Sequence, residues 1–196
     1  IAANLHDEVG PLLSTLKLNI SKHKKSLSKN ILTNNDLDTE REFIDIIIDN
    51  VRTACHHLTP QFVLKYGLIK GLKNFITPIN YPVITLNSNL ENENHLSKQI
   101  ILNVYRIGLE LINNAIKHGK PKKMKIEIME VNDLLYFKLY HNGVGLNENQ
   151  FNKAIENKNG LGLSSIESRI IILNGDIKFH EQSNESITTL TIPLRK

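Results

Sequence analysis

The segment 106–119, Arg-Ile-Gly-Leu-Glu-Leu-Ile-Asn-Asn-Ala-Ile-Lys-His-Gly, constrains the fold of this chain more than any other. It is the back half of an amphipathic stretch that begins near Leu96. Ile100, Val104, Ile107, Leu111 and Ile112 recur at the spacing of one helix face, which predicts a long helix over about 96–118. That helix must lay its apolar stripe on a second layer. Glu110, Asn114 and Lys117 follow one another at i, i+4 and i+7 and share another stripe. A carboxylate, a carboxamide and an ammonium in one row suit a metal-bound polyphosphate. The two oxygens can hold Mg²⁺ or its waters, and the ammonium can meet phosphate. An ordinary solvated helix face would show the same row, so the glycine-rich segments downstream must separate the two readings.

Around this helix the pattern is that of an α+β domain. Residues 83–86 are a candidate strand. Segments 124–131 and 134–140 alternate as strands do, with Asn132-Asp133 as the hairpin turn. Gly143 and Gly145 mark a loop, and the Asn-rich stretch 147–159 reads as mobile. Gly160-Leu161-Gly162 opens a helix over 163–173, which Asn174-Gly175-Asp176 terminates. Segments 177–181 and 188–194 are closing strands with a turn at 183–185. The expected sheet is mixed and mostly antiparallel, with helices packed on it. Glycine pairs let a backbone approach a ligand closely. Successive N–H groups there, and a helix N-terminus, can receive anionic phosphates. Gly67, Gly71, Gly119 and Gly175 read as turn or cap residues.

Upstream, Leu5, Val9, Leu12, Leu16 and Ile20 form one stripe, widened by Leu13, on a helix over 1–27. The stripe is under way at Ile1 with no cap before it, which predicts a helix beginning further upstream. A polar segment, 28–38, separates it from a second helix over 39–58. That helix opens on the capping box Thr39-Glu40-Arg41-Glu42 and carries Ile44, Ile47, Ile48, Val51, Ala54, Cys55 and Leu58. Pro60 should end it or sit just past its end. Such a hairpin cannot bury both stripes alone, and pairing with a second copy would give a four-helix bundle. Segment 61–82, with Gly67, Gly71, Pro78, Pro82 and a short helix over 68–76, reads as a connector. The expected domains are thus a hairpin, 1–60, a connector, 61–82, and an α+β domain, 83–196.

Composition narrows the function classes. With 196 residues, 40% hydrophobic and 22% charged, the chain reads as one or two globular domains. The net charge is +4, and the lysines are scattered, with short clusters at 22–25 and 120–125 and no aromatic residues among them, which argues against direct nucleic-acid binding. A single cysteine, Cys55, excludes an internal disulfide and fits a reducing compartment. No apolar run reaches membrane-spanning length, and no signal peptide is visible.

The motifs together carry a resemblance. His6-Asp7-Glu8-Val9-Gly10 resembles the phosphoacceptor box of two-component sensor histidine kinases, closest to the nitrate-sensor and desaturase-sensor subfamily whose members partner helix-turn-helix response regulators. Segment 51–76, with Leu58-Thr59-Pro60, Tyr66-Gly67-Leu68 and Leu72, resembles that subfamily's second helix and connector. The segment from Tyr105-Arg106 to His118 resembles its N box. His141-Asn142-Gly143-Val144-Gly145 and Gly160-Leu161-Gly162-Leu163 resemble its two glycine boxes. All four motifs stand in the family's order, over nearly the whole chain.

The resemblance implies a dimeric phosphoacceptor hairpin followed by an ATP-binding α+β sandwich of the GHKL (Bergerat) type. It implies that Asn114 holds Mg²⁺ and that Glu110 holds it too or orients its water. Lys117 and His118 would lie near the phosphates. Gly143, Gly145, Gly160 and Gly162 would shape the nucleotide pocket, with 147–159 as its lid and Thr188 near the adenine. His6 would be the phosphorylated residue. Asp7 beside it can orient the imidazole tautomer and stabilise its charged form. The implied protein is the cytoplasmic part of a membrane-anchored sensor, with ATP and Mg²⁺ as cofactors and a response regulator as partner. His23, His56, His57, His95 and His180 show no metal-ligand spacing.

Three positions depart from the family. His141 stands where an Asp normally accepts a hydrogen bond from the adenine amino group. Pro11 stands where a Gln or His serves phosphatase activity. Ile187 replaces a glycine near the last strand. His141 leaves open a degenerate pseudokinase, a dimeric interaction module with weak or no ATP binding. A chaperone or mismatch-repair ATPase of the same superfamily would leave the His6-Asp7 hairpin without a role.

Overall fold

The computed structural model describes Thr15, Lys17, Ile44 and residues 60–156 and 161–194. The chain divides into two compact units, Ile1–Pro60 and Gln61–Lys196. In the first unit Thr15, Lys17 and Ile44 are helical. His6, Asp7, Pro11 and the hairpin's pairing surface lie outside the described residues, as does Gly160.

The second unit begins with two short helices, α1 (Pro60–Tyr66) and α2 (Leu68–Ile76). Pro60 opens α1, the first-turn position where a missing N–H costs nothing. Gly67 separates the two helices at φ 91°. The Glu93 carboxylate accepts from the free backbone N–H groups of Leu68 and Ile69 at the start of α2. Val63, Leu68 and Leu72 are fully buried. Through these residues α1 and α2 pack into the core of this unit.

Strand β1 (Val83–Ser88) follows, then α3 (Lys98–Asn114). Ser97 caps α3 by accepting the Ile100 N–H at 3.2 Å. At Asn114 the helix widens into a single π-turn, Ala115–Gly119, which ends on Lys120 in the left-handed region. Strands β2 (Lys123–Val131) and β3 (Leu134–His141) form the expected hairpin, with Asn132 and Asp133 at φ 51° and 60° in its turn.

The Asn-rich stretch expected to be a mobile loop holds a helix, α4 (Glu148–Glu156). Its start is a reciprocal capping box. Asn147 Oδ1 accepts the Gln150 N–H at 2.9 Å, and Gln150 Oε1 accepts the Asn147 N–H at 3.1 Å. Phe151 anchors it, buried against Phe179 with ring centroids 5.2 Å apart. Helix α5 spans Leu161–Ile172. Strands β4 (Asp176–Gln182) and β5 (Glu185–Pro193) close the unit. Their turn is shorter than expected, only Ser183 and Asn184, so Ile187 lies within β5 opposite Tyr140 and His180.

The sheet order is β1-β2-β3-β5-β4, with β1 and β2 parallel and every other pair antiparallel. Buried residues alternate along β2, β3 and β5. One sheet face therefore lies under the helices and the other faces solvent. Ile107 and Ile112 of α3, Ile126 and Ile128 of β2, Phe137 of β3 and Leu190 of β5 fill the space between. The result is the mixed, mostly antiparallel α+β sandwich read from the sequence.

Candidate nucleotide-binding site

A cleft of about 430 Å³ opens at the C-terminal end of α3, bounded by β3, β5 and α4. Its floor and walls are apolar, from Leu111, Ala115, Leu139, Leu146, Leu163 and Phe179. Asn114, His118, His141, Gln150 and Thr188 supply the polar groups. An apolar slot with a few convergent polar groups is the usual form of a small-molecule or cofactor site. A larger groove of about 750 Å³ runs along α1, α2 and the segment 90–101, but none of the site residues read from the sequence lines it.

The π-turn determines which side chains of the N box reach the cleft. Its i→i+5 bonding turns each residue through a smaller angle than an α-helix does. Lys117 falls short of the stripe that 3.6-residue periodicity assigns it and is exposed, while Asn114, Ala115 and His118 line the cleft. The Asn114 carboxamide nitrogen is buried and has no hydrogen-bond partner among the described residues. Glu110, one turn earlier on α3, packs beneath the start of α5. A Cβ placed on Gly162 would stand 3.0 Å from the Glu110 carboxylate. Glu110 also faces Arg169 of α5, whose pKa burial lowers and Glu110 partly restores.

The first glycine box is fixed by close backbone approach. A Cβ on Gly143 would lie 2.2 Å from the Gly119 carbonyl oxygen, and one on Gly145 would lie 1.7 Å from Ser186 Oγ. Only glycine lets the 143–145 turn run between the π-turn and β5. The Val144 N–H donates to the Gly119 carbonyl at 3.0 Å, which ties the two segments together.

His141 is the last residue of β3 and is buried. Its Nδ1 accepts the Gly143 N–H at 3.3 Å. Burial lowers its pKa, so the ring is neutral at pH 7. Thr188 is also buried and pairs with Leu139, while Ser186 pairs with His141. Both therefore lie on the covered face of β5 beside the histidine. Sequence reasoning did not single out Gln150, Ser186 or Phe179. The Asn147-x-x-Gln150 spacing was the available signal for the first. The other two become site residues only through strand pairing. His95 bonds Glu130 at 2.7 Å on the surface, away from the cleft.

Residues 100–196 match the family model described as histidine kinase-, DNA gyrase B-, and HSP90-like ATPase. That segment is an ATPase domain of this family. The sensor histidine kinase ComP of Bacillus subtilis is 29% identical over 135 residues, 67% of this chain and 17% of that protein. The sensor protein VraS of Staphylococcus saprophyticus is 26% identical over 147 residues, 75% of this chain and 42% of that protein. The chain thus spans less than half the length of these curated relatives. Among solved structures, the Acinetobacter baumannii histidine kinase AdeS matches with a TM-score of 0.50 at 16% identity, covering 97% of this chain and 98% of that one. The blue-light activated histidine kinase EL346 of Erythrobacter litoralis matches at 0.56 and 12% identity, over 94% of this chain and 63% of that one. With these relatives, the ATPase domain is that of a two-component histidine kinase transmitter.

Proposed function

We propose that this chain is the catalytic portion of a sensor histidine kinase that phosphorylates itself on His6 and passes the phosphoryl group to a response-regulator aspartate. The observation that carries the reading is the cleft itself. Asn114, the 143–145 turn and Thr188 converge there on an apolar slot, within a domain of an ATPase family.

Each residue then has a role. Leu139, Phe179 and Thr188 hold the base. The backbone of the 143–145 turn and the N-terminus of α5 face the phosphates, and His118 stands at the open end. The donor set fits Mg²⁺. One carboxamide and one carboxylate, with no cluster of three or more His, Cys, Asp or Glu among the described residues, suit an ion that keeps waters and binds chiefly to substrate phosphates. Asn114 and Glu110 would hold it, and when bound it supplies neutralisation of the polyphosphate charge. A ring nitrogen of neutral His6 attacks the γ-phosphorus. The N–P bond forms as the bond to the β–γ bridging oxygen breaks, and ADP leaves with that electron pair. Asp7 orients the imidazole and stabilises its positive charge until the ring proton is lost. Positioning contributes most of the rate.

The hairpin 1–60 pairs with a second copy, and the regulator docks on it. Membrane anchoring and a helix-turn-helix output domain in the regulator follow from the subfamily resemblance. Among the described residues no helix is long and apolar enough to cross a membrane.

Labelling with γ-³²P-ATP tests the reading. The expected product is acid-labile, base-stable phosphohistidine that disappears in His6→Gln while nucleotide binding persists. Label that survives in His6→Gln places the acceptor elsewhere. The pseudokinase reading rests on His141 alone, and the same assay decides it: no label on the parent chain favours it.

A further inference from the structure

His141 lines the cleft at the position where the resemblance would put a carboxylate facing the base, and its tautomer is set by the backbone. A backbone N–H can only donate, so the bond from Gly143 requires the lone pair on Nδ1. The proton of the neutral ring is then on Nε2. Cε1 packs against Gly119, where an added Cβ would approach it to 3.3 Å, so the ring is held on both sides of Nδ1. His141 therefore presents the cleft with a donor in place of the acceptor that a carboxylate would be.

Adenine offers a donor at its 6-position and an acceptor at N1. Hypoxanthine offers the reverse, a carbonyl acceptor at the 6-position and a donor at N1. The Thr188 hydroxyl, two residues beyond the partner of His141 on β5, both donates and accepts and can serve either base. With the 6-position set against the histidine, as the resemblance to the family places it, only the 6-oxo base accepts its proton. Resting on the nucleotide-site reading above, we propose that His141 reads the base by donation, so that this cleft takes a 6-oxopurine nucleoside triphosphate in preference to a 6-aminopurine one.

Calorimetric titration of the full chain with ITP and with ATP, in Mg²⁺ at pH 8, tests this. The two nucleotides differ only at the 6-position and in the N1 proton that accompanies it. The parent should bind ITP about tenfold more tightly than ATP, the difference between a hydrogen bond made and two donors opposed. His141→Asp should reverse the order. His141→Gln, whose amide can present either group, should bring the two within about threefold. ATP bound as tightly as ITP, or more tightly, by the parent overturns the proposal. So does a parent that binds neither while His141→Asp binds ATP, although the site reading then stands. Binding of neither nucleotide by any of the three proteins overturns the site reading as well.

Discussion

Neutral His141, buried at the end of β3, ties the stability of the nucleotide domain to pH. Unfolded, an imidazole titrates near 6.5, and burial lowers that value in the fold. Between the two values the unfolded chain binds more protons than the folded one, so stability falls as pH drops through about 6.5 and levels off below the folded pKa. The melting temperature should therefore decline from pH 7.5 to 5.5, and His141→Gln should lose that component of the decline. Identical pH profiles for the two proteins would remove His141 as its source. Asn114 makes the opposite kind of prediction. Its carboxamide nitrogen has no partner among the described residues, so Asn114→Ala gives up little native bonding and gains helix propensity. The variant should melt within a few degrees of the parent and lose Mg²⁺-dependent nucleotide binding. A large drop in melting temperature would show that Asn114 serves the fold.

Helix α3 lies close on the sheet because Gly108 faces Phe137. A Cβ on Gly108 would stand 2.9 Å from Phe137 Cε2 and 3.1 Å from Cζ. Alanine gains about 1 kcal/mol of helix propensity there, while overpacking costs about 1–3 kcal/mol. Gly108→Ala should thus be mildly destabilising and Gly108→Val clearly more so, read from denaturant midpoints. Unchanged midpoints for valine would mean that the helix can lift off the sheet freely. Helix α4 depends on different chemistry. Its composition is polar and only Phe151 is buried, so the Asn147–Gln150 box holds its first turn. Asn147→Ala should cost about 1 kcal/mol of local stability. Hydrogen exchange over 148–156 should quicken while exchange in α3 stays unchanged.

The boundary of the folding unit matters at the scale of the molecule. Val63, Leu68 and Leu72 are fully buried in the core shared by α2, α3 and the sheet. Each contributes about 1.5–3 kcal/mol by burial, a sum comparable to the whole stability of a typical domain. A fragment of residues 61–196 should fold cooperatively, whereas one of 83–196 should not. Cooperative thermal unfolding of the shorter fragment would show the connector to be dispensable. The hairpin 1–60 makes its own prediction. Its apolar stripes, with Leu12, Leu16, Ile47 and Val51, call for a partner, so the full chain should sediment as a dimer at micromolar concentration and the 61–196 fragment as a monomer. On that dimer, Pro11 has neither a carboxamide to position water nor an N–H. The chain should therefore dephosphorylate its regulator poorly, measured as the decay of a phosphorylated receiver with and without it.

Local patterns were enough for the long helix, the β2–β3 hairpin with its Asn-Asp turn, the order of the strands along the chain and the Gly143–Gly145 turn. Each rests on a periodicity or a backbone demand that neighbouring residues impose. The fold class followed because alternating strands and an amphipathic helix leave few ways to bury their apolar faces. Tertiary structure decided what depends on distant residues. The π-turn, which turns His118 toward the cleft and Lys117 away, breaks the 3.6-residue spacing on which any stripe is drawn. Ser186 and Thr188 come beside His141 and Leu139 only through the register of β3 with β5, some fifty positions apart in the chain. Helix α4 was hidden because its sequence is polar, and it is held by one phenylalanine and a cap. The histidine was visible in the sequence, but its tautomer was not. That depended on which ring nitrogen met a backbone N–H two residues away, a matter of how the 143–145 turn folds against Gly119 and β5.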